Sequence, residues 1–233
     1  MVMQLPVSIE GNSWPTTELT AFEMDVLQRQ VLDRKGEIAF GNGFLQDLYQ
    51  DNAALIIEAC KAAKHAFGDV AFKGLFAGDS QFGVTPIQPA HVLRTTDATE
   101  TAVNDWTRTF TADGDYWIGY STNNTTAINI DKRLLVLILG VAWSQGWAPI
   151  VEKIQFQIGN NIYPYQSVRH GWYSDNQHRI RAARLRPMIL GPKDTVLSQI
   201  YSLVANDQEM ELIGLSFAKG DLLRAQAPTT IQT

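Results

Sequence analysis

A series of short apolar segments after residue 100 constrains the fold of this chain more than any other feature. We count about nine such segments, each with the length and residue types of a β-strand and each bounded by turn residues. No helical pattern lies between them, and parallel strands need long crossover connections, which are usually helices. The series therefore predicts a mainly β protein in which antiparallel strands form a sandwich or a barrel.

Two of these segments show the strand pattern most clearly. LLVLILGVAW is a continuous apolar run, which is typical of a strand that is covered on both faces. It is too short to cross a membrane as a helix, which needs about 20 residues, so we expect no transmembrane segment. VEKIQFQI alternates instead, and it predicts a strand with one buried face and one outer face, the latter formed by Lys153, Gln155 and Gln157.

The N-terminal part of the chain has a helical pattern. Thr20 and Glu23 fit a capping box, and the apolar residues that follow recur at a spacing of three to four. Asp51 fits the N-cap of a second helix, whose apolar stripe is clearer. We therefore predict two main helices, near residues 17–35 and 51–67, and a short helix fits the connection FGNGFLQDLY between them.

These patterns divide the chain into three parts. We predict an N-terminal helical annex over residues 1–80, a β-sandwich domain over residues 81–224 and a C-terminal tail over residues 225–233. Two helices are too few to have a core of their own, and the stripe of the second helix is too apolar to face water. We therefore expect the annex to pack against the sandwich or against an adjacent subunit.

The composition is that of an ordinary globular protein. Hydrophobic residues make up 45% of the chain and charged residues 18%, which excludes disorder as the main state. The formal net charge of −5 gives no general attraction to nucleic acid. Cys60 is the only cysteine, which excludes an intramolecular disulfide and a four-cysteine zinc site. The N-terminal segment lacks a signal-peptide pattern, so we expect a reducing compartment.

The sequence contains none of the motifs that would indicate catalysis. Its four histidines have no metal-ligand spacing, and nucleophile-elbow and phosphate-loop motifs are absent. We therefore predict that the protein is not an enzyme, and that it has no catalytic residues, no cofactor and no metal. The run Asp113-Gly114-Asp115 fits a hairpin turn better than a calcium site, because two carboxylates are too few ligands.

One stretch of the chain is clearly basic. Residues 169–193 contain six basic side chains and a single acidic one, Asp175. Because Arg179 and Arg181 alternate as on one face of a strand, we interpret Arg179, Arg181 and Arg184 as a candidate contact with acidic groups of another subunit. A solvated face and a nucleic-acid surface remain alternatives, and the net charge disfavours nucleic acid.

The tryptophans suggest a further surface. The chain has six of them, and Trp14, Trp147 and Trp172 lie beside proline, glycine or polar residues, where loops form. Exposed aromatic rings mark protein interfaces and sugar-stacking surfaces. These three residues are therefore candidate interface residues, and the sequence does not choose between the two uses.

The strand series, the apolar strand LLVLILGVAW, the pair IQFQIGNNIYPYQ and the closing segment from Leu185 to Leu223 occur together in residues 100–224. In this combination they resemble a viral or phage coat protein of the jelly-roll or β-sandwich kind. The resemblance implies a jelly-roll-like sandwich of about 8–9 strands. It also implies a virion subunit that is assembled in the host cytoplasm and whose partners are copies of itself and other virion proteins. Such a protein acts by burying surface against its neighbours, without catalysis.

Two other functions stay open. A glycan-binding β-sandwich in an attachment device would use exposed tryptophan and tyrosine rings on a sheet, and Asp113 and Asp115 would offer calcium ligands. An enzyme without a recognisable motif is the third alternative. Oligomeric state and glycan binding with and without calcium separate the first two hypotheses.

Overall fold

The computed structural model of the chain describes residues 7–9, 12–33, 43–92, 106–109, 114–118, 128–143, 149–173 and 181–225. Over these residues the protein consists of two antiparallel β-sheets, with helices packed on one of them. The prediction of a mainly β, antiparallel sandwich is therefore confirmed. A short hairpin of β1 (Val7–Ile9) and β2 (Asn12–Trp14) forms a separate two-stranded sheet.

The strands of the two main sheets follow one another after the helical part of the chain. In chain order they are β3 (Phe82–Pro86), β4 (Thr107–Thr109), β5 (Gly114–Ile118), β6 (Ile128–Asn129), β7 (Leu134–Trp143), β8 (Val151–Ile158), β9 (Asn161–Ile162), β10 (Gln166–Ser167), β11 (Arg181–Leu190), β12 (Thr195–Ser202) and β13 (Asp207–Lys219). The first sheet has the order β3-β13-β7-β11, and β4 joins β13. The second has the order β10-β8-β12-β5, with β6 beside β12 and β9 beside β8.

This strand order is that of a jelly roll. We treat β9 and β10 as one strand, because both pair with β8 along the returning arm of one hairpin. If the short β4 and β6 are left out, the remaining strands can be numbered 1 to 8 in chain order. They are β3, β5, β7, β8, the combined β9 and β10, β11, β12 and β13. Strand 1 pairs with 8, 2 with 7, 3 with 6 and 4 with 5, as in one long hairpin rolled into two sheets. The predicted jelly-roll-like sandwich is confirmed by this pairing.

Strand β7 lies inside the first sheet and is covered on both faces, as its apolar sequence predicts. One set of its side chains packs in the core between the two sheets and comprises Leu134, Val136 and Ile138. The alternating set packs in a second core, on the outer side of the first sheet, and comprises Leu135, Leu137 and Leu139. The period of two along a strand therefore explains why every one of these positions is apolar.

The helices cover the outer side of the first sheet. They are α1 (Ala21–Leu27), which continues as a π-helical turn (Gln28–Leu32), α2 (Gly43–Asp51) and α3 (Ala53–Ala66). Two short helices, α4 (Pro89–Val92) and α5 (Gly220–Ala225), pack instead against the core between the sheets. Leu27 of α1, Leu48 of α2 and Ile56 of α3 share one core with Leu137 and Phe217 of the sheet. The two main predicted helices and the short helix between them are thus present, and they pack on the sandwich as expected. The division at residue 80 stays a prediction.

A buried ion pair fixes the position of α1. Thr20 Oγ1 accepts a hydrogen bond from the backbone N–H of Glu23 at 3.2 Å, and Glu23 Oε2 accepts one from the backbone N–H of Thr20 at 2.8 Å. The predicted capping box is therefore confirmed. The same carboxylate accepts from Lys64 Nζ of α3 at 2.7 Å and from the backbone N–H of Phe72 at 2.9 Å. Glu23 thereby joins three segments of the chain.

One sequence prediction about local structure was wrong, and one strand was missed. Asp51 is the last residue of α2, which spans Gly43–Asp51, and so it is not the N-cap of the next helix. Asn52 occupies the N-cap position of α3 instead. Strand β3 begins before the predicted series. It was missed because glycine and proline weaken a strand pattern, yet Gly83 is required: a Cβ atom there would lie 2.1 Å from the carbonyl oxygen of Gly74.

Candidate functional site

The outer surface of the second sheet is the most distinctive polar surface among the described residues. The predicted alternation of β8 is confirmed, because its apolar residues are buried while the residues between them are partly exposed. Strand β12 alternates in the same way. We call the outer residues of these strands, together with a tyrosine from the segment between β9 and β10, the amide–tyrosine face: Lys153, Gln155, Gln157, Tyr165, Leu197, Gln199 and Tyr201.

The register between β8 and β12 determines which of these side chains are neighbours. Lys153 lies opposite Tyr201, and Gln155 lies opposite Gln199. Directly opposed residues of antiparallel strands have side chains on the same face and in contact range. On the other side of β12 the register places Asp115 of β5 opposite Tyr201. The face therefore runs across β8 and β12, and the backbone of β5 continues the sheet beyond it.

A lysine lies between two tyrosine rings at one end of this face. Lys153 Nζ is 4.6 Å from the centroid of the Tyr165 ring and 4.4 Å from the centroid of the Tyr201 ring. An ammonium group at these distances is attracted by the negative ring faces. None of the ion pairs between described residues includes Lys153. Lys153 is therefore a positioned positive charge beside two tyrosine rings, and the acidic residue Asp115 follows across β12 in the register of the sheet.

Hydrogen bonds hold the neighbouring side chains in place. Tyr165 Oη donates to Gln199 Oε1 at 2.6 Å, which links the loop tyrosine to β12. Gln155 Nε2 donates to the backbone carbonyl of Tyr163 at 2.7 Å. Each bond leaves the glutamine further polar capacity, since an amide has two donor hydrogens and an acceptor oxygen. The face thus combines aromatic rings, fixed amides and one ammonium group, which can accept a polar ligand with apolar patches.

Of the three arginines predicted to form a subunit contact, the structure describes Arg181 and Arg184. Arg179 lies outside the described residues, and Arg181 begins β11 opposite Trp143. Arg184 is 49% exposed and forms an ion pair with Asp51 at the end of α2, which sequence reasoning did not anticipate. The acid that Arg184 contacts therefore belongs to the same chain, while the role of Arg179 and Arg181 in a subunit contact stays a prediction.

The three candidate tryptophans do not come together in the described structure. Trp14 lies in β2, partly buried against the helical core, and a Cβ atom at Gly191 would lie 2.6 Å from its Nε1. It is therefore a packed residue rather than an exposed ring. Trp147 and Asp113 lie outside the described residues, and for Trp172 only the backbone, in a 3-10 helix, is described.

A second notable surface lies on the helical side. Phe76 is 83% exposed and Phe22 57% exposed, and Leu75 beside Phe76 is also exposed. The 3-10 turn that carries Leu75 is anchored on the π-helical turn after α1, because the backbone N–H of Leu75 donates to Gln30 Oε1 at 2.8 Å. The ammonium group of Lys73 lies 4.5 Å from the Phe22 ring centroid. We call Phe22, Leu75 and Phe76 the helical apolar patch.

Within the described ranges, no three histidine, cysteine, aspartate or glutamate side chains come together to hold a metal ion. Among the described helices, none has the length and apolarity needed to span a membrane. The buried Cys60 thiol has a pKa well above its ordinary value, mainly because burial disfavours the thiolate, so it is a poor nucleophile.

Comparison with known proteins adds little beyond the geometry. The sequence matches no protein family and no curated protein. Among solved structures, the chain is similar to the native structure of a family 35 carbohydrate binding module from Clostridium thermocellum. The identity is 11%, the match covers 60% of this chain and 94% of that chain, and the TM-score is 0.22. A TM-score this low carries no argument, so the fold rests on the strand pairing described above.

Sequence reasoning missed both surfaces. Lys153 was correctly placed on an outer strand face, but nothing in the sequence showed that Tyr165 and Tyr201 lie beside it. The register of β8 against β12 supplies that information, and register depends on contacts across the whole sheet. The helical apolar patch was missed because Phe22 fits the three-to-four residue period of apolar residues in α1, and that period does not show that its ring is exposed.

Proposed function

We propose that the protein is a structural subunit of a virus particle, which acts by assembling with copies of itself and other virion proteins, without catalysis. The observation that carries this proposal is the complete jelly-roll pairing of the two sheets. The jelly roll is a recurrent architecture of capsid proteins, although lectins and cupins also use it. Because one fold serves several functions, the surface has to support the choice.

The distribution of exposed apolar side chains supports assembly. Besides the helical apolar patch, Ile162 is 67% exposed at the β8–β9 hairpin, and Val204 is 48% exposed in the turn after β12. The register of β8 against β12 places these two turns at opposite ends of the second sheet. A lattice subunit has neighbours on several sides, whereas a protein with one small ligand site needs only one such surface.

Light scattering on the purified protein over a range of salt concentrations tests the proposal. We expect large assemblies of the wild type, and we expect the double variant Phe22→Ser, Phe76→Ser to shift the population to smaller species. Lys132→Ser, an exposed position in the turn before β7, is the matched control and should assemble like the wild type. A wild type that is strictly monomeric under every condition would contradict the proposal.

A second candidate function is glycan binding by a β-sandwich of an attachment device. The observation that favours it is the amide–tyrosine face, where aromatic rings and amides lie side by side on a sheet. Sugars stack on aromatic rings through their apolar faces and bond to amides through their hydroxyl groups. A glycan array read with and without calcium separates this function from pure assembly.

A further inference from the structure

The charges of the chain are divided unevenly between its helical part and its β part. Residues 1–80 contain 11 acidic and 6 basic residues, whereas the rest of the chain contains 13 of each. The whole acidic excess behind the net charge of −5 therefore lies in the part that carries α1, α2 and α3. This part covers the outer side of the first sheet, so that side of the molecule is acidic.

The acidic side chains surround the helical apolar patch. Of the nine described acidic residues between positions 12 and 79, seven are exposed, whereas Arg29 is the only exposed one among the four described basic residues. Asp25 lies one turn after Phe22 on α1, and Asp79 follows Phe76 by three residues. An apolar centre with a charged rim is the usual anatomy of a protein–protein interface.

A surface of opposite charge lies along β11, the outermost described strand of the first sheet. Residues 169–193, which include β11, contain six basic residues and one acidic residue. Within the described part of this stretch, Arg169 forms an ion pair with Glu152, and Arg184 forms one with Asp51. The stretch keeps an excess of positive charge after these two carboxylates are counted. We call the described residues 181–193 the basic β11 edge.

These charges determine which surfaces of two copies can meet. A contact between two helical sides would bring two acidic rims together, and like charges across an interface are unfavourable. A contact between the helical side of one copy and the basic β11 edge of another brings opposite charges together, which also steers their encounter. Every copy carries both surfaces, so such a contact can be repeated from one copy to the next.

We propose that the helical side of one copy docks on the basic β11 edge of a second copy. The helical apolar patch forms the centre of this contact, where the partly exposed Pro187 of the second copy offers an apolar partner. The acidic rim faces Arg181 and Arg186 of the second copy. This inference rests on the proposed virion function and names the two surfaces through which copies of the chain assemble.

Two charge-reversal variants of the full-length protein test the contact from its two sides. One is the double variant Arg181→Glu, Arg186→Glu, and the other is Asp25→Lys, Asp33→Lys. We expect each variant alone to need a concentration about tenfold higher or more for assembly in light scattering, because like charges then face each other. An equal mixture of the two should assemble like the wild type, because every reversed surface meets its opposite on the other variant.

The double variant Lys132→Glu, Lys153→Glu is the matched control, because it changes the net charge as much as the arginine variant does but lies away from β11. It should assemble like the wild type. Circular dichroism checks that all variants are folded. Normal assembly of either reversal variant alone, an equal mixture of folded variants that stays unassembled, or a control that fails as severely would overturn the proposal.

A salt series on the wild type gives a test that depends on no variant. The Debye length falls from about 8 Å at about 0.15 M salt to about 3 Å at about 1 M, so assembly should weaken over this range. Assembly that does not respond to salt would overturn the proposed contact but leave the virion function intact. A wild type that is monomeric at every salt concentration would contradict the virion function itself, and the contact with it.

Discussion

At the scale of single residues, Glu23 illustrates how a buried charge is maintained in this protein. Burial alone would raise the pKa of its carboxyl group, but hydrogen bonds from Lys64 and from the backbone N–H groups of Thr20 and Phe72 outweigh that effect. The pKa of Glu23 therefore lies below its ordinary value of 4.5. Because the ionised form is the one that is stabilised, Glu23 and Lys64 act as a pair and neither tolerates the loss of the other.

The variant Glu23→Gln should destabilise the protein by about 3–5 kcal/mol, because it leaves the Lys64 charge buried without its carboxylate. Asp25→Asn, which breaks the exposed Asp25–Arg29 pair on the same helix, is the matched control and should cost about 0–1 kcal/mol. Urea unfolding at neutral pH measures both values. Equal stabilities of the two variants would contradict the role of the buried pair.

The pH dependence of stability gives an independent check of the same pair. The pKa of Glu23 is lowered by folding, so its contribution is present above pH 4.5 and is lost as the pH falls through the lower folded pKa. The difference in unfolding free energy between the wild type and Glu23→Gln should therefore shrink on acidification below pH 4.5. A difference that is constant from pH 7 to pH 3 would be inconsistent with this assignment.

At the scale of elements, the pairing of β13 with β7 depends on one glycine. The register between these strands shifts between Ile213 and Gly214, because β7 has one additional residue, Leu139, at this point. A Cβ atom at Gly214 would lie 1.9 Å from the carbonyl oxygen of Leu137. The hydroxyl group of Tyr49 in α2 donates a hydrogen bond to the Gly214 carbonyl at 3.3 Å, so α2 contacts the sheet at the same point. Burial and the nearby Glu211 carboxylate raise the pKa of Tyr49, which keeps that donor protonated.

The variant Gly214→Ala should therefore lower the free energy of unfolding by several kcal/mol, because backbone atoms of β7 would have to move. Gly68→Ala is the matched control: Gly68 has a positive φ of 85°, but a Cβ atom there meets nothing within 4 Å. Its cost should be only about 1–2 kcal/mol, which is the backbone strain. Thermal unfolding followed by circular dichroism measures both. A milder effect at position 214 than at position 68 would refute the steric argument.

The elements themselves could be predicted where a local pattern was strong. Three local patterns were each sufficient to predict an element: the alternation of β8, the apolar run of β7 and the capping box of α1. A buried face or a cap determines the residue types within a few positions, so it can be recognised in the sequence. The start of α3 was misplaced, because Asp51 is a good N-cap in isolation and only the tertiary packing of α2 shows that it ends a helix. Strand β3 was missed, because it is held by β13 rather than by its own sequence.

At the scale of the whole molecule, the helical part protects the outer side of the first sheet. Leu135, Leu137 and Phe217 are buried by contacts with α1, α2 and α3, although they lie on the face that points away from the second sheet. The sandwich therefore has two cores, one on each side of the first sheet. Without the helices, this apolar outer face of the first sheet would be exposed to water, which is unfavourable for a folded protein.

Deletion of residues 1–80 should accordingly produce a β domain that aggregates, because the apolar face of the first sheet becomes exposed. The same truncation with Leu135→Ser, Leu137→Ser and Phe217→Ser should recover part of its solubility, since these side chains point to the removed helices. The soluble fraction after centrifugation measures both. A truncated chain that stays soluble and assembles normally would show that the helices are dispensable.

The overall topology could be predicted only as a class. Short strands without intervening helices led to an antiparallel sandwich, and the resemblance to coat proteins led to the jelly roll. The partners of each strand could not be derived, because β5 pairs with β12 and β7 with β11 across long stretches of sequence. For the same reason the Lys153 site could not be found: it depends on which strand lies beside β8.

The pairing of β3 with β13 has a consequence for synthesis of the chain. Phe82 of β3 lies opposite Lys219 of β13, so β3 cannot pair until β13 has been synthesised and has left the ribosome. Contacts between such distant residues also slow folding, because a long loop must close before they form. Helices α1, α2 and α3, by contrast, are complete early and consist of local contacts. During most of its elongation the nascent chain therefore carries an unpaired strand edge beside the completed helices. Such an edge promotes aggregation, so we expect chaperones to protect the chain most in this interval.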